Sequence, residues 1–248
     1  MERRRVLPAG RARPGDRLSK PKNRPVTERR ASPLDLSAPL TADAVRTLFR
    51  HHRAQPPRTL GARGDHDGNP GWGIAETLRD AAVLVPLVDR SEGLHVLLTQ
   101  RTAHLTAHAG QIAFPGGRLE QSDADAIAAA LRETEEEIGL PRQHIEIIGR
   151  LDDYLTRTGF RVAPVVGIVR PPFTTRAHPD EVADIFEVPL AFLLDPANRR
   201  RNFSEFRGAM RQFWSFPFGE RNIWGATAGM IVNLADVLVG ELPAQEAS

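Results

Sequence analysis

The chain has 248 residues, of which 41% are hydrophobic and none is cysteine. Without cysteine, a disulfide framework and thiolate chemistry are excluded, so any site must use oxygen and nitrogen groups. No run approaches the roughly 20 apolar residues of a membrane span, and the start lacks the apolar core of a secretion signal. We therefore expect one core-bearing domain with extensions, no membrane association and a cytoplasmic location.

The basic charge is concentrated at the beginning of the chain. Residues 1–30 carry a net charge of +8, whereas residues 31–248 carry −6. We predict a disordered Pro/Arg-rich leader over 1–38, a folded domain over 39–242 and a short tail over 243–248. A basic arm can touch nucleic acid, but the leader lacks aromatic side chains to stack on bases. A flexible tail is the preferred interpretation, and nucleic acid is not the expected partner.

The predicted elements interleave strands and helices. Thr41 is predicted to cap a helix that runs to about His52, and a Pro/Gly-rich connection follows over 55–73. Strands at 81–88 and 94–99 are joined by a turn at 90–93. The later elements are a strand at 111–114, a helix at 123–138 capped near Ser122 or Asp123, strands at 145–151 and 161–169, a helical turn at 190–194, an arginine-rich loop at 199–201, a segment at 212–216 and a closing helix at 227–239. This order predicts an α/β or α+β sandwich, with helices on both faces of a mixed β-sheet.

The helix that ends near Gly139 is the most informative part of the chain. Its apolar positions are spaced by four, three and four residues and fall on one helical stripe: Ile127, Leu131, Thr134 and Ile138. Glu133, Glu136 and Glu137 are predicted to gather on the opposite face. Such carboxylates repel each other, and a hard cation such as Mg²⁺ or Mn²⁺ bound between them would make their interaction energy favourable. The alternative, and the commoner one for glutamates alone, is a solvated helical face.

A glycine pair completes the pattern. Gly116 and Gly117 open the loop before the helix, and residues 132–140 read Arg-Glu-Thr-Glu-Glu-Glu-Ile-Gly-Leu. Together they resemble the Nudix box, the loop–helix signature of hydrolases that cleave a nucleoside diphosphate linked to another group. The resemblance implies the Nudix fold and metal ligands at the three glutamates and at the Gly116 carbonyl. Arg132 would pair with a helix carboxylate or a loop Asp and orient the cluster.

The chain departs from the usual box in one place. Where the box has its first Glu, this sequence has Ala124, with Asp123 and Glu120 close by, and the loop is one residue longer. Because that Glu mostly orders the loop in the family, the departure affects loop geometry more than metal binding.

Segments that flank the box resemble the coenzyme A pyrophosphatase subgroup. The upstream block runs from Leu97 through Arg101 and His108 to Gly117. Other similar segments lie at 156–167, 180–190 and 223–228, so that the resemblance covers about residues 40–240. Many members have an arginine where this chain has Thr106. The resemblance implies hydrolysis of the pyrophosphate of coenzyme A or an acyl-CoA to 3′,5′-ADP and (acyl-)4′-phosphopantetheine, with bound Mg²⁺ or Mn²⁺.

Roles for single residues follow from the resemblance. Glu133 is the first choice for the base that accepts a proton from water, and Glu181 is a candidate extra ligand or base, with a solvated loop charge as an equal alternative. The candidate substrate-binding residues are Arg101, His108, Gln111, Gly117 and Arg157, of which the arginines suit phosphate groups. Surface roles for the arginines and a structural role for the histidine are the alternatives. The aromatic candidates for the substrate path are Phe114, Phe160 and Trp224, although aromatic residues in strands are usually core.

Two other functions remain open. One is a Nudix hydrolase for another substrate such as NADH, ADP-ribose or a nucleoside triphosphate, since residues 213–218 have a passing likeness to a motif of NADH pyrophosphatases. The other is a non-catalytic module that binds and senses a nucleotide, for which a damaged box is the usual mark. The preferred acyl group and the oligomeric state are left open.

Overall fold

The computed structural model describes residues 40–53, 63–69, 71–103, 109–206 and 208–239. The leader and tail predicted for the two ends, and His108, lie outside the described residues. The elements of the described part are α1 (Ala42–Arg53), β1 (Arg63–Gly64), β2 (Arg79–Arg90), β3 (Gly93–Arg101), β4 (Ile112–Ala113), β5 (Gly116–Arg118), α2 (Ala126–Ile138), β6 (Ile145–Arg150), β7 (Tyr154–Leu155), β8 (Phe160–Val169), β9 (Val182–Pro189), α3 (Leu190–Leu194), β10 (Arg200–Phe206), β11 (Ala209–Phe218), β12 (Arg221–Trp224) and α4 (Ala226–Val239).

A mixed sheet forms the centre of the fold. Its strands follow the order β1-β7-β8-β2-β3-β4, while β5 pairs with β2, β6 with β8 and β9 with β3. β2 and β8 run parallel from the pair Arg79–Phe160 to the pair Val88–Val169. Both strands are rich in buried Val, Leu and Ala, which is the composition expected of parallel strands covered on both faces.

Helices cover both faces of this sheet, as predicted. Since side chains alternate along a strand, Leu84 of β2 packs into one cluster with alanines of α2. Its neighbour Val85 packs into the opposite cluster, which contains Val45 of α1 and Leu234 of α4. The predicted N-cap of α1 is also confirmed, because Thr41 Oγ1 accepts a hydrogen bond of 3.3 Å from the amide of Ala44.

Three sequence predictions about local structure were wrong. The connection predicted over 55–73 contains the short strand β1, which pairs with β7. Helix α2 is capped by Asp125, whose Oδ1 accepts from the Ala128 amide at 2.9 Å, and not by Ser122 or Asp123. The segment predicted as a loop at 199–201 enters β10 at Arg200.

A second, three-stranded antiparallel sheet was not foreseen. β10, β11 and β12 form a meander. Phe216 of β11 and Ile223 of β12 are completely buried. These two side chains belong to the same apolar cluster as α4, so the sheet is anchored to the main domain through them.

The closing helix α4 is buried over most of its surface. It approaches the sheet closely at Gly229, where an added Cβ would lie 2.4 Å from Tyr154 Oη. Tyr154 is 5% exposed and donates a hydrogen bond of 2.9 Å to Asp65 Oδ1. No helix among the described residues is long and apolar enough to cross a membrane.

This close approach predicts the effect of Gly229→Ala. Alanine is a better helix former than glycine by ~1 kcal/mol, but its methyl group would collide with the Tyr154 ring. We expect the collision to dominate and to lower the free energy of unfolding by ~1–3 kcal/mol in chemical denaturation. Gly73→Ala, whose Cβ would meet no atom within 4 Å, is the control and should change stability by less than ~0.5 kcal/mol. A Gly229→Ala protein as stable as the control would contradict this packing.

Candidate active site

The carboxylate of Glu137 lies beneath the glycine loop. Its Oε2 accepts a hydrogen bond of 3.1 Å from the Gly116 amide, and the residue is only 5% exposed. Glu136 is exposed and Glu133 is half-buried. The prediction that all three glutamates gather on the face opposite the apolar stripe was therefore wrong for Glu137, which is buried.

Small residues explain this orientation of α2. The alanines at 126, 129 and 130 are buried against β2 and β8, whereas Ile127 and Leu131 of the predicted stripe are only half-buried. Alanine side chains let the helix approach the sheet closely. Glu137 follows Ala130 by seven residues and Thr134 by three, so it lies on the same buried face.

Gly116 is required by a close backbone contact. A Cβ at this position would lie 2.4 Å from the carbonyl oxygen of Ala82, and the φ angle of Gly116 is +150°. At Gly117 an added Cβ would lie 2.5 Å from the Glu133 carboxylate, so a side chain there would displace that carboxylate. The loop backbone therefore lies directly against the carboxylates of α2.

Arg132 connects the loop to the glutamates. Its Nε and Nη2 donate to the two oxygens of Asp123 at 3.1 and 2.9 Å, and its Nη1 donates to Glu133 and Glu136, both at 3.1 Å. The predicted pairing with a helix carboxylate and a loop Asp is confirmed. Hydrogen bonds from Arg132 and from the Glu120 amide lower the pKa of Asp123. Asp123 thus ties down the loop where the usual box has the Glu that Ala124 replaces.

Burial disfavours the ionised forms of Glu133 and Glu137. Desolvation raises the pKa of Glu137 to about 7, although the Gly116 amide and the charge of Arg101 act against the rise. Arg101 Nη1 lies 3.8 Å from Glu137 Oε1. Burial also raises the pKa of Glu133, and the negative charge of the exposed Glu181 adds to the rise at both glutamates. Glu181 is therefore close enough to Glu133 and Glu137 for its charge to affect their pKa values.

These acids do not form a preassembled metal centre. In the described ranges, no three His, Asp or Glu side chains are arranged to hold a metal ion. Arg132 contacts two of the three predicted ligands, Glu133 and Glu136. Arg132 engages only Oε1 of Glu133 and Oε2 of Glu136, so the second oxygen of each carboxylate is not bonded to it.

A cavity of about 860 Å³ opens beside the glycine loop. Five of the predicted site residues line it together, namely Gly116, Gly117, Arg101, Gln111 and Arg157. The three aromatic residues predicted for the substrate path, Phe114, Phe160 and Trp224, line it as well. Phe114 is 3% exposed and Trp224 is 42% exposed, so Phe114 belongs largely to the core.

The far wall of the cavity was not predicted. It is formed by Trp72 and by residues of the second sheet, among them Arg201, Arg211, Phe213 and Trp214. Trp72 lay in a segment predicted as a plain connection, and 199–201 was assigned to a loop. Two signals were available: basic and aromatic side chains recur over residues 199–214, and residues 213–218 resemble a motif of NADH pyrophosphatases.

Sequence comparison relates this chain to Nudix proteins. Residues 78–214 match the family described as NUDIX domain. A relative from Escherichia coli K12, named "Uncharacterized Nudix hydrolase NudL", is 48% identical over 163 residues, which cover 64% of this chain and 84% of the relative. A relative of the same name from Shigella boydii is 47% identical over the same shares.

Solved structures of Nudix proteins also align with the chain. RenU, a Nudix hydrolase from M. smegmatis, is 23% identical with a TM-score of 0.40 and covers 49% of this chain and 81% of its own. An Ap4A hydrolase from C. elegans is 21% identical with a TM-score of 0.39 and covers 44% of this chain and 80% of its own. Scores of this size give no information about the substrate.

The raised pKa of Glu137 predicts a pH-dependent stability in chelator. The folded state holds the proton of the Glu137 carboxyl more tightly than the unfolded state does, so protonation of Glu137 stabilises the fold. This contribution to the free energy of unfolding is complete below the ordinary pKa of 4.5 and is lost as the pH rises through about 7. Glu137→Gln keeps an oxygen for the Gly116 amide but cannot ionise. At pH 8 we expect its free energy of unfolding to exceed that of the parent by up to ~3 kcal/mol, and the difference to vanish near pH 4.

Urea denaturation at several pH values would measure this difference. Glu135→Gln, on the exposed side of the same helix, is the matched control and should follow the parent at every pH. A Glu137→Gln protein that shows no gain at pH 8 would mean that Glu137 is solvated in the folded state.

Proposed function

This chain belongs to the Nudix family of hydrolases, and we propose that its substrate is coenzyme A or an acyl-CoA. It would hydrolyse the internal pyrophosphate to 3′,5′-ADP and (acyl-)4′-phosphopantetheine. One observation carries the proposal: Glu133 and Glu137 lie against the glycine loop, and Gly116 and Gly117 of that loop line a cavity that is rich in arginine and aromatic side chains. The flanking segments from Leu97 to Gly117, which resemble the coenzyme A subgroup, favour this substrate.

The residues present fit a hard divalent cation. The proposed ligands are the carboxylates of Glu133, Glu136 and Glu137 and the carbonyl of Gly116, with Glu181 as a further candidate, and all of them offer the oxygen donors that Mg²⁺ and Mn²⁺ prefer. A bound cation would supply positive charge against the diphosphate and act as a Lewis acid. It would also favour the ionised form of Glu137, which burial alone disfavours.

Side chains of this chain would perform the remaining steps. Arg132 positions Glu133 and Glu136 through its hydrogen bonds. Glu133 is the proposed general base, because a raised pKa brings a carboxylate closer to the neutral pH at which it must accept a proton. Arg101 and Arg157, on the cavity wall, would donate to phosphate oxygens.

Other cavity residues would hold the organic parts of the substrate. Gln111 and the backbone of Gly117 are proposed to contact it near the loop, and Phe160 and Trp224 offer apolar surface. His108 remains a candidate substrate contact from its motif. We further propose that the catalytic domain spans 39–242 and works in the cytoplasm.

The two alternative functions can be weighed against the site. A different nucleoside diphosphate derivative would use the same glutamates, so the cavity wall and not the box decides between substrates. A nucleotide sensor that does not catalyse would be expected to have lost part of its acidic machinery. Here Arg132 and all three glutamates are present and in contact with the loop or with each other.

Product analysis tests the proposed reaction. Purified protein would be incubated with coenzyme A, NADH, ADP-ribose or dGTP, with Mg²⁺ or Mn²⁺ and with chelator. We expect metal-dependent release of 3′,5′-ADP from coenzyme A well above turnover of the others. Cleavage of another compound with coenzyme A intact would replace the substrate, and binding without any turnover would favour the sensor.

Glu136→Gln tests the ligand assignment. Because this carboxylate is exposed, the variant should fold normally but lose kcat by on the order of 100-fold, as expected for the loss of several kcal/mol of charge stabilisation. The rise in Tm caused by Mn²⁺ should shrink in parallel. Glu135→Gln, the exposed neighbour, should keep both activity and the Mn²⁺ response. Near-parental turnover by Glu136→Gln would remove this residue from the metal site.

A further inference from the structure

Some arginines of the cavity have no acidic partner. Within the described part of the chain, Arg118, Arg201 and Arg211 line the cavity without an ion pair or a side-chain hydrogen bond. Away from the cavity, arginines such as Arg90 and Arg161 are paired with carboxylates at 2.6 and 2.7 Å. Unpaired guanidinium groups in a concave site create a positive potential that favours anions.

One of these arginines belongs to a built cluster, the Trp72 cluster, which consists of Trp72, Arg157 and Arg211. The guanidinium carbon of Arg211 lies 4.8 Å from the centre of the indole ring, and that of Arg157 lies 6.0 Å from it. All three residues line the cavity. The Nε of Arg211 is buried and has no hydrogen-bond partner, so its desolvation is not compensated by any acceptor within the protein.

Backbone contacts hold both sides of the Trp72 cluster in place. Next to Arg211, the Gln212 amide donates to Asn69 Oδ1 at 2.9 Å, and Asn69 Nδ2 donates back to the Gln212 carbonyl at 3.0 Å. On the other side, the Arg157 amide donates to Asp65 Oδ2 at 2.7 Å. The second sheet, the Trp72 segment and the β7–β8 turn are therefore fixed to one another around the indole.

Three acids in this part of the chain are already engaged. Asp65 accepts from Tyr154 Oη and from the Arg157 amide. Asp67 accepts from the Gly64 amide at 3.1 Å, and Asp236 is paired with Arg63. None of these three contacts the guanidinium of Arg211, whose side chain lines the cavity.

The Trp72 cluster and the glycine loop are attached to different parts of the central sheet. Gly117 pairs with Ala82, which pairs with Ala163 of β8, and two strand spacings amount to ~10 Å. Phe160 lies three residues from Ala163 along β8, another ~10 Å, and Arg157 precedes it in the β7–β8 turn. The loop and the cluster can therefore contact two different groups of one ligand.

We propose that the Trp72 cluster binds a phosphomonoester group of the substrate, separate from the diphosphate that is cleaved. The inference rests on the proposed function, because coenzyme A carries such a group at the 3′ position of its ribose. The planar guanidinium of Arg211 would donate two hydrogen bonds to the phosphate. Substrates without the 3′-phosphate would bind more weakly, which makes the Trp72 cluster a determinant of specificity.

Kinetics with coenzyme A and 3′-dephospho-coenzyme A test this site. The parent protein should show a higher kcat/KM for coenzyme A. Arg211→Gln should reduce that preference about tenfold, the usual effect of a lost charge-assisted hydrogen bond, through the KM for coenzyme A, with the dephospho compound unaffected. Arg211→Lys should retain part of the preference. Arg200→Gln, an exposed residue of β10 that does not line the cavity, is the matched control and should behave like the parent.

Binding in chelator separates this inference from the proposed reaction. Isothermal titration would compare 3′,5′-ADP with AMP on the parent and on Arg211→Gln, without any turnover. Tighter binding of 3′,5′-ADP that is lost in Arg211→Gln would support the site even if coenzyme A were not hydrolysed. Equal binding of the two nucleotides, or an equal loss for both compounds in the variant, would overturn the inference even if coenzyme A were the substrate.

Discussion

The burial of the Glu137 carboxylate beneath the Gly116 amide is the constraint on which the site depends. To bring that side chain under the loop, α2 must turn its alanine face to β2 and β8, and the loop must carry glycine at 116. The cost is a carboxylate whose ionised form is disfavoured by burial. Keeping an acid in this position therefore lowers the stability of the fold whenever the carboxylate is ionised.

Arg132 balances the acidic group from the other side. It spans Asp123 of the loop and Glu133 and Glu136 of the helix, so that one guanidinium holds three carboxylates. The loop and the helix are therefore coupled electrostatically as well as by packing. A change in the charge of Glu133 or Glu136 would therefore change the attraction between Arg132 and Asp123 of the loop.

The sequence predicted most of the fold and much of the site. Periodicity and composition were sufficient for the central strands and for the helices at both ends, because their apolar patterns are strong. The buried position of Glu137 was missed because the stripe of large apolar residues in α2 was given more weight than its small alanines. The second sheet was missed because its strands mix arginine with aromatic residues. Trp72 became recognisable as a cavity residue only through contacts with residues distant in sequence.

Two aromatic residues of the cavity lie outside the segment that matches the family. The glycine loop and α2 lie inside the 78–214 segment, whereas Trp72 lies before it and Trp224 after it. The cavity is therefore completed by residues on both sides of that segment. A fragment cut at the limits of the family match would keep the glycine loop and α2 but would lose the two indole rings that close the cavity.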